Sequence, residues 1–528
     1  MADDADRSDK NKTYRKMMIH DFRNLGISYG KKSDPAELTL NRSLKKDELG
    51  DIVFLVGPNN SGKSNVLDAI TACLRDGIDK ERDAPDFILT DDVVPSVKFV
   101  VKDNNEEKYY FSAVDANNIQ PSEEDKMVKP AEDPGFLEKY GYGMHPSVRK
   151  YVRDQIRQKD MSGDPMSLNR FLTNVLRLMG ANEELLTAYK RSGQKKNTGY
   201  LSMVQNALNR DVEEKITKRF NNLYLCGGNE KYSFNFRVES SLFSLELYLG
   251  DKPLNLDYQS EGFKWFFDFY FNFICTGDLK WGDIILMDEP GTNLHVRGQE
   301  ELRKYLKEFA KEQGLTFVIS THSPFLLDCD HLDEVRTLIR DDETGFVRII
   351  DRFSVIGDDS DTLGHILNNL TVGRHVMYGP DQRVIFVEGH TDYCYLTAFK
   401  ILMSPKYDRL AFLPIGGLGE KGSRKRENLC RVLLKIDRVP VLLTDGDAFD
   451  IKKKAENTAV GVISLNDVDI RFREIEDLFT GSDIKEFGLT EKSWDAASVF
   501  KNSIIKNADK ISEETKRRFA KVLDRLLG

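Results

Sequence analysis

The sequence predicts an α/β protein made of two parallel-sheet units, the first interrupted by a helical insertion. Three observations carry that prediction. Short apolar strand patterns alternate with helix-periodic segments near both ends of the chain. A glycine-rich turn, Gly57 to Ser64, lies between one such strand and a helix pattern. A central stretch ending near Asn222 carries apolar residues three and four apart, with little strand alternation.

The elements follow in order. Residues 1–12 (MADDADRSDKNK) read as a disordered polar tail with no apolar signal core. Strand patterns occur at Arg15 to Arg23 and Asp51 to Val56, and Ser64 to Arg75 has helical spacing. Ser96 to Val114 reads as a hairpin turning at Asp103-Asn104-Asn105, residues that tolerate turn backbones. Pro121 to Pro134 is acidic and proline-containing, a linker by composition. Pro146 to Lys159, Leu168 to Lys190 and Leu201 to Asn222 are expected to be helices. Strands return at Tyr232 to Val238 and Phe243 to Leu249. The aromatic run from Phe263 to Phe273 covers nearly every helical face, which predicts a buried core helix and no base-stacking site. Ile284 to Met287 and Thr316 to Ser320 read as buried parallel strands around a charged helix, Gly298 to Gln313.

A second alternation begins with a strand at Val384 to Val387 and a helix at Tyr393 to Leu402. It continues through a strand at Leu410 to Ile415, a helix at Glu427 to Lys435, and strands at Val439 to Thr444 and Val460 to Ser464. The chain ends in an amphipathic helix, Glu513 to Leu527. The division expected is a tail (1–12), a first lobe (13–118), a helical insertion (119–230), a second lobe (231–375) and a C-terminal domain (376–528).

Composition narrows the function classes. The chain has 528 residues, 40% hydrophobic, which is too apolar for a disordered polymer and long enough for several domains. It carries 77 basic and 86 acidic residues, a net charge of −9, so uniform coating of nucleic acid or an anionic membrane is not expected. A local basic groove remains compatible with that balance. No run of about 18 apolar residues exists, so no membrane span is expected. The six cysteines are scattered with no C-x-x-C pair, which reads as reduced thiols in the cytoplasm and no zinc site.

Gly57, Pro58, Asn59, Asn60, Ser61, Gly62, Lys63 and Ser64 fit G-x-x-x-x-G-K-[ST] in the strand–helix context that this motif requires. Backbone N–H groups turned inward, with the helix N-terminus, suit phosphate oxygens. Lys63 would reach the β and γ phosphates of ATP, and Ser64 would ligate Mg²⁺. Asp288, at a strand tip, would be a second partner of that ion, and Glu289 would orient or deprotonate the attacking water. A third strand ends in Ser320-Thr321-His322-Ser323 at the same sheet edge.

These three tips, with their flanking text, resemble the ATP-binding-cassette-type ATPases of DNA metabolism, related to structural-maintenance-of-chromosomes and recombination-mediator proteins. The resemblance includes Ile19-His-Asp-Phe-Arg23-Asn24, Ser260-Glu261-Gly262-Phe263 and Asn293-Leu294-His295. It implies that Ser260 and Gly262 belong to a signature closing over the partner's triphosphate, that His322 is a switch histidine, and that the chain dimerises around nucleotide. No Q-loop glutamine is identified.

In the last third, Val384 to Val387 leads into Glu388-Gly389-His390-Thr391-Asp392, and Val441 to Thr444 into Asp445-Gly446-Asp447. Carboxylates from two parallel strand tips repel unless divalent cations separate them, and oxygen-only ligands suit Mg²⁺ or Mn²⁺. Two such ions would serve phosphodiester hydrolysis. This pair of motifs resembles a TOPRIM domain, and its fusion to such an ATPase resembles the OLD (overcoming lysogenization defect) family of ATP-dependent endonucleases. The resemblance makes Glu388, Asp392, Asp445 and Asp447 metal ligands, adds Glu476 as a later acid, and gives Lys501 or Lys506 a role beside the scissile phosphate. It implies a DNA substrate, a homodimer or higher oligomer formed through the helical insertion, and a role in bacterial anti-phage defence. A genetically linked helicase-like subunit, or a retron reverse transcriptase with its DNA product, are the accessory partners it suggests. Two basic clusters, Lys421 to Arg426 and Lys452 to Lys454, suit a phosphate backbone or a solvated surface equally. The competing function is an ATP-gated DNA-binding or sensor protein whose C-terminal domain is structural. A topoisomerase would need a nucleophilic tyrosine domain, for which the chain offers no candidate.

Overall fold

The described residues build four sheets, three of them mainly in the larger of two units. The computed structural model describes residues 14–26, 35–46, 48–85, 94–103, 106–113, 146–164, 167–179, 198–224, 231–239, 241–273, 279–292, 294–341, 345–351, 353, 382–418, 424–446, 448–489 and 493–528. The expected tail and the Pro121 to Pro134 linker lie outside them. Met1–Arg149, Trp281–Asp288 and Ala310–Gly528 form one unit; Lys150–Lys280 and Glu289–Phe309 form the other.

The first unit opens with β1 (Tyr14–His20), β2 (Ala36–Asn41), β3 (Asp51–Val56) and helix α1 (Lys63–Thr71), followed by β4 (Ser96–Asp103) and β5 (Glu106–Ala113). An antiparallel sheet, β2-β1-β4-β5, pairs Met17 with both Leu38 and Phe99, so alternate side chains enter the core. β2 is absent from the sequence-based expectation, since only tertiary pairing stabilises a six-residue segment with Glu37 exposed.

The central sheet has the order β14-β13-β3-β12-β11-β6, built with β6 (Val148–Tyr151), β11 (Ile284–Asp288), β12 (Thr316–Thr321), β13 (Val335–Arg340) and β14 (Val347–Ile350). β11, β12, β3 and β13 are parallel, and β11, β12 and β3 end level: Asp288 lies opposite Ser320, and Val56 opposite Thr321. A C-terminal parallel sheet follows, with order β16-β15-β17-β18, from β15 (Arg383–Val387), β16 (Leu410–Pro414), β17 (Val441–Thr444) and β18 (Gly461–Ser464). The strand order reverses between β15 and β17, which is the topological switch point of an open α/β sheet.

The second unit contains β7 (Ser162–Gly163), helices α2 (Arg170–Leu178), α3 (Thr198–Val212) and α4 (Lys218–Leu223), strands β8 (Tyr232–Val238), β9 (Phe243–Leu249) and β10 (Lys252–Leu254), and helix α5 (Glu261–Asn272). The exposed edge of β8 is closed by side-chain amides: Asn209 bonds both backbone groups of Phe236, and Asn221 does the same for Tyr232. α5 is the core helix that its composition predicts, with Phe263, Phe267, Phe269 and Phe271 all buried and Phe269 stacked between Trp265 and Phe273. It belongs to the second unit.

Pro146 to Lys159 is not the expected helix. It forms β6 and an irregular run to a single turn, Gln158–Met161, because Ser147 bonds to Asp283 and Ile284 while Asp268 takes the Ile156 N–H. Tertiary partners for the backbone outweigh a weak helical spacing.

The chain continues from α6 (Val296–Gln313) in front of β12 to the C-terminal helices. These are α7 (His390–Leu402), α8 (Arg424–Ile436), α9 (Phe449–Ala455), α10 (Leu465–Val468), α11 (Trp494–Ser503) and α12 (Glu513–Leu527).

Candidate functional sites at two sheet edges

Phosphate binding needs backbone N–H groups that point inward, and the turn after β3 is shaped for that. Gly62 caps α1 at φ 85°, in the left-handed region where only glycine is unstrained, and Asn60 sits at φ 63°. The Lys63 ammonium folds back onto the carbonyls of Gly57 (3.0 Å) and Pro58 (2.8 Å). The Ser64 hydroxyl lies 3.4 Å from Asp288 Oδ2, and Ser320 Oγ donates to Asp288 Oδ1. Two residues expected to share one Mg²⁺, Ser64 and Asp288, thus meet across two strands, and their oxygens fit a hard cation. Glu289 follows at φ 47°, a strained backbone for a residue with a side chain, and His322 directly follows β12.

The loop is held from behind. Arg23, itself at φ 55°, donates to Asn65 (3.0 Å), Asp68 (2.9 Å) and Asp83 (3.0 Å), while Asn65 donates to Asn24 (2.7 Å). The segment Ile19 to Asn24 therefore positions α1 and its phosphate-facing start. Ser320 was missed as a supporting residue, although its place on the strand beside Asp288 was a usable signal.

A family model described as "AAA domain, putative AbiEii toxin, Type IV TA system" matches residues 52–328, more than half of the chain. The chain belongs to this family, AAA_21. It is an ATP-binding P-loop ATPase. Over 53 residues the AAA_21 chain is 42% identical to the lipoprotein-releasing system ATP-binding protein LolD of Anaeromyxobacter dehalogenans, a match spanning 10% of this chain and 22% of that protein. The SMC head domain from Thermotoga maritima is 14% identical with a TM-score of 0.31, covering 65% of this chain and 99% of that one. The Pyrococcus furiosus Smc head domain with an extended coiled coil, bound to the C-terminal domain of ScpA, gives 14% identity and a TM-score of 0.32, over 64% and 96%. Among the described residues, no helix is long and apolar enough to cross a membrane.

Within the second unit of this AAA_21 chain, Ser260 accepts the Phe263 N–H (3.2 Å) and starts α5, and Glu261 pairs with Lys264 (2.7 Å). Ser260, Gly262, Trp265, Leu294, His295 and Tyr305 line one cavity of about 220 Å³. The cavity thus brings the Ser260 to Gly262 turn together with Leu294 and His295; Asn293 lies outside the described residues.

The second edge is acidic. Glu388 follows β15 and Asp445 follows β17, and these strands are direct parallel neighbours with Val387 opposite Leu443. Both tips are fixed through the backbone. The Glu388 carbonyl accepts the Gly417 N–H (2.7 Å), Gly446 N–H donates to the Arg473 carbonyl (2.8 Å), and Asn466 donates to the Gly446 carbonyl (3.2 Å). A Cβ on Gly446 would lie 2.9 Å from Asn466 Nδ2, so a larger residue there would push aside the Asn466 amide that bonds the Gly446 carbonyl. Asp447 itself lies outside the described residues. Asp392 commits Oδ2 to the Gly389 N–H (2.6 Å), where it starts α7. The Tyr395 phenol is pushed up by burial, and further by the charges of Glu476, Cys394 and Asp392. Among the described residues, no group of three or more His, Cys, Asp or Glu is arranged to hold a metal ion.

Lys501 is a correction. It is 1% exposed, and its ammonium donates to Asp333 Oδ1 (2.5 Å) and the Asp330 carbonyl (2.7 Å). Asp333 also accepts from Ser498 (2.6 Å) and Asn502 (2.8 Å). Burial alone would raise the Asp333 carboxyl, but the Lys501 charge and these donors hold it far below the usual carboxylate range. A buried, fully bonded ion pair cannot reach for a phosphate; it joins α11 to the segment after β12. Lys506, by contrast, is exposed. Close by, the Tyr393 hydroxyl donates to the Cys329 carbonyl (2.9 Å) and accepts the Leu332 N–H (2.8 Å). No local sequence signal marked these contacts, because they join residues far apart in the chain.

Of the two basic clusters, Arg426 turns onto Asp450 in a two-pronged pair (2.8 and 2.6 Å), which holds the Asp450 carboxyl down at about 2. Lys452 pairs with Asp467 (2.6 Å).

Proposed function

We propose that this ATPase is also a divalent-metal-dependent DNA endonuclease of the OLD type, with a TOPRIM-like C-terminal domain. The observation that supports the reading is the placement of Glu388 and Asp445 on adjacent strand tips at the switch point, where open α/β sheets bind their ligands. On this reading Glu388 and Asp445, together with Asp447, Asp392 and Glu476, would be the ligands of Mg²⁺ or Mn²⁺. Bound there, such ions polarise a phosphodiester and lower the pKa of a water nucleophile. The chain's own contribution is rigidity: both first carboxylates project from turns pinned by backbone hydrogen bonds.

At the nucleotide edge, Lys63 would exchange two carbonyls for the β and γ phosphates of ATP. Ser64 and Asp288 would hold Mg²⁺, Glu289 would position water, and His322 would sense the γ phosphate. Ser260 and Gly262 would close over the nucleotide of a second copy, making the active form a homodimer or higher oligomer. The same reading makes the protein the DNA-cutting effector of a bacterial anti-phage system, with a helicase-like subunit or a retron reverse transcriptase and its DNA product as accessory partners.

Plasmid incubated with Mg²⁺ or Mn²⁺, with and without ATP, tests this. Wild type is expected to nick or linearise it and Glu388→Ala to leave it supercoiled; cutting that persists in the variant overturns the metal-site assignment. The second reading is an ATP-gated DNA-binding or sensor protein whose C-terminal domain is structural. Absence of cutting under every condition would select it.

A further inference from the structure

The edge that carries Glu388 and Asp445 also presents an aromatic ring to solvent. Phe449 opens α9 just past Asp445 and is 77% exposed, while its neighbour Ala448 is fully buried. A single exposed apolar side chain is ordinary on a protein surface, and Tyr258 and Ile470 are exposed too. Phe449 stands out by its position just past Asp445, where covering the ring would be favourable. The groups around it indicate which ligand. Lys453 lies one helical turn along α9, on the face that Phe449 occupies, and is exposed. Arg473, whose carbonyl fixes Gly446, is exposed as well. Lys452 and Arg471 are neutralised by Asp467 and Asp469, but Lys453 and Arg473 have no ion-pair partner among the described residues. A flat apolar ring with one exposed cation a helical turn away and a second on the segment that pins Gly446 matches one strand of nucleic acid: a base stacks on the ring and phosphates meet the cations. Paired bases hide their faces from such a ring.

We propose that Phe449 is a base-stacking residue that holds an unpaired nucleobase beside the Glu388–Asp445 edge, so that the substrate class is single-stranded or locally unpaired DNA. The location of the site rests on the nuclease reading, but the binding does not require cleavage.

The test uses the full chain in Ca²⁺, a divalent cation that screens carboxylates but activates water poorly for cutting, with a fluorescein-labelled single-stranded oligonucleotide and the matching duplex. Phe449→Ala is expected to weaken single-strand binding about ten-fold or more, to leave duplex binding unchanged, and to be rescued by Phe449→Trp. A 2-aminopurine base in the strand should be quenched by wild type and Phe449→Trp, and not by Phe449→Ala. The side chain is exposed, so thermal stability should be unaltered. Absence of single-strand binding by wild type, or equal single-strand affinity in Phe449→Ala, overturns the proposal, the latter leaving the ring to a protein partner. Failure of the nuclease reading would show separately, as normal binding with no cutting in Mg²⁺ or Mn²⁺.

Discussion

Two parallel sheets in one unit present the same kind of edge and opposite chemistry. The tips of β3, β11 and β12 offer inward backbone amides, the Lys63 ammonium, two hydroxyls and the Asp288 carboxylate. The tips of β15 and β17 offer Glu388 and Asp445, and Asp392 stands in the first turn of α7, which follows β15. The first edge attracts a polyphosphate as it stands; the second repels one until cations intervene. The comparison teaches that sheet topology decides where a ligand sits, and the residues of the turn decide which charge it has.

The separation of the two edges is testable, and the largest effects come first. Glu388→Ala and Asp445→Asn should cut DNA cleavage by roughly 10²-fold or more while ATP binding is retained, whereas Lys63→Ala should abolish ATP binding, read by a labelled nucleotide. Unaltered ATP affinity in Lys63→Ala would show that the loop after β3 is not the nucleotide site. Glu289→Gln should keep ATP bound and slow turnover by about 10²–10⁴-fold, measured as phosphate release.

Lys501→Ala breaks the comparison differently, because its role is structural. It should lower unfolding free energy by about 3–5 kcal/mol, since it strands the buried Asp333 charge; a urea melt checks this. Wild-type stability with lost cleavage would return Lys501 to the catalytic set. The same pair sets an acid dependence. The Asp333 carboxyl is held lower in the folded chain than in the unfolded one, so its stabilising contribution is complete above about pH 4 and fades as pH falls below that. Melting temperature should therefore drop on acidification from pH 6 to pH 3. The smallest effect expected is that of Ser320→Ala, which frees one Asp288 oxygen and should reduce ATP turnover about 10–100-fold without changing the fold.

Much of this architecture was legible in the chain. The strands Tyr232–Val238 and Phe243–Leu249 and the helix Glu513–Leu527 match the periodicity residue for residue, because a core-facing pattern is written locally. Gly57 to Ser64 was legible for the same reason: a tight phosphate-facing turn needs its special residues in sequence. Pro146 to Lys159 misled because its backbone bonds go to Asp268, Asp283 and Ile284. Lys501 misled because the resemblance supplies only a C-terminal lysine, and a helical lysine reads alike whether it faces solvent or Asp333.

The amino-acid sequence by itself determined the elements whose forces are local: turn residues, strand and helix periods, and the chemistry at each strand tip. Tertiary structure alone decided which tips are neighbours, that Ser64 meets Asp288 and Lys501 meets Asp333, and that Phe449 is left uncovered. Those outcomes depend on pairing and burial between residues far apart in the chain, where the free energy is set by the partner and not by the residue alone.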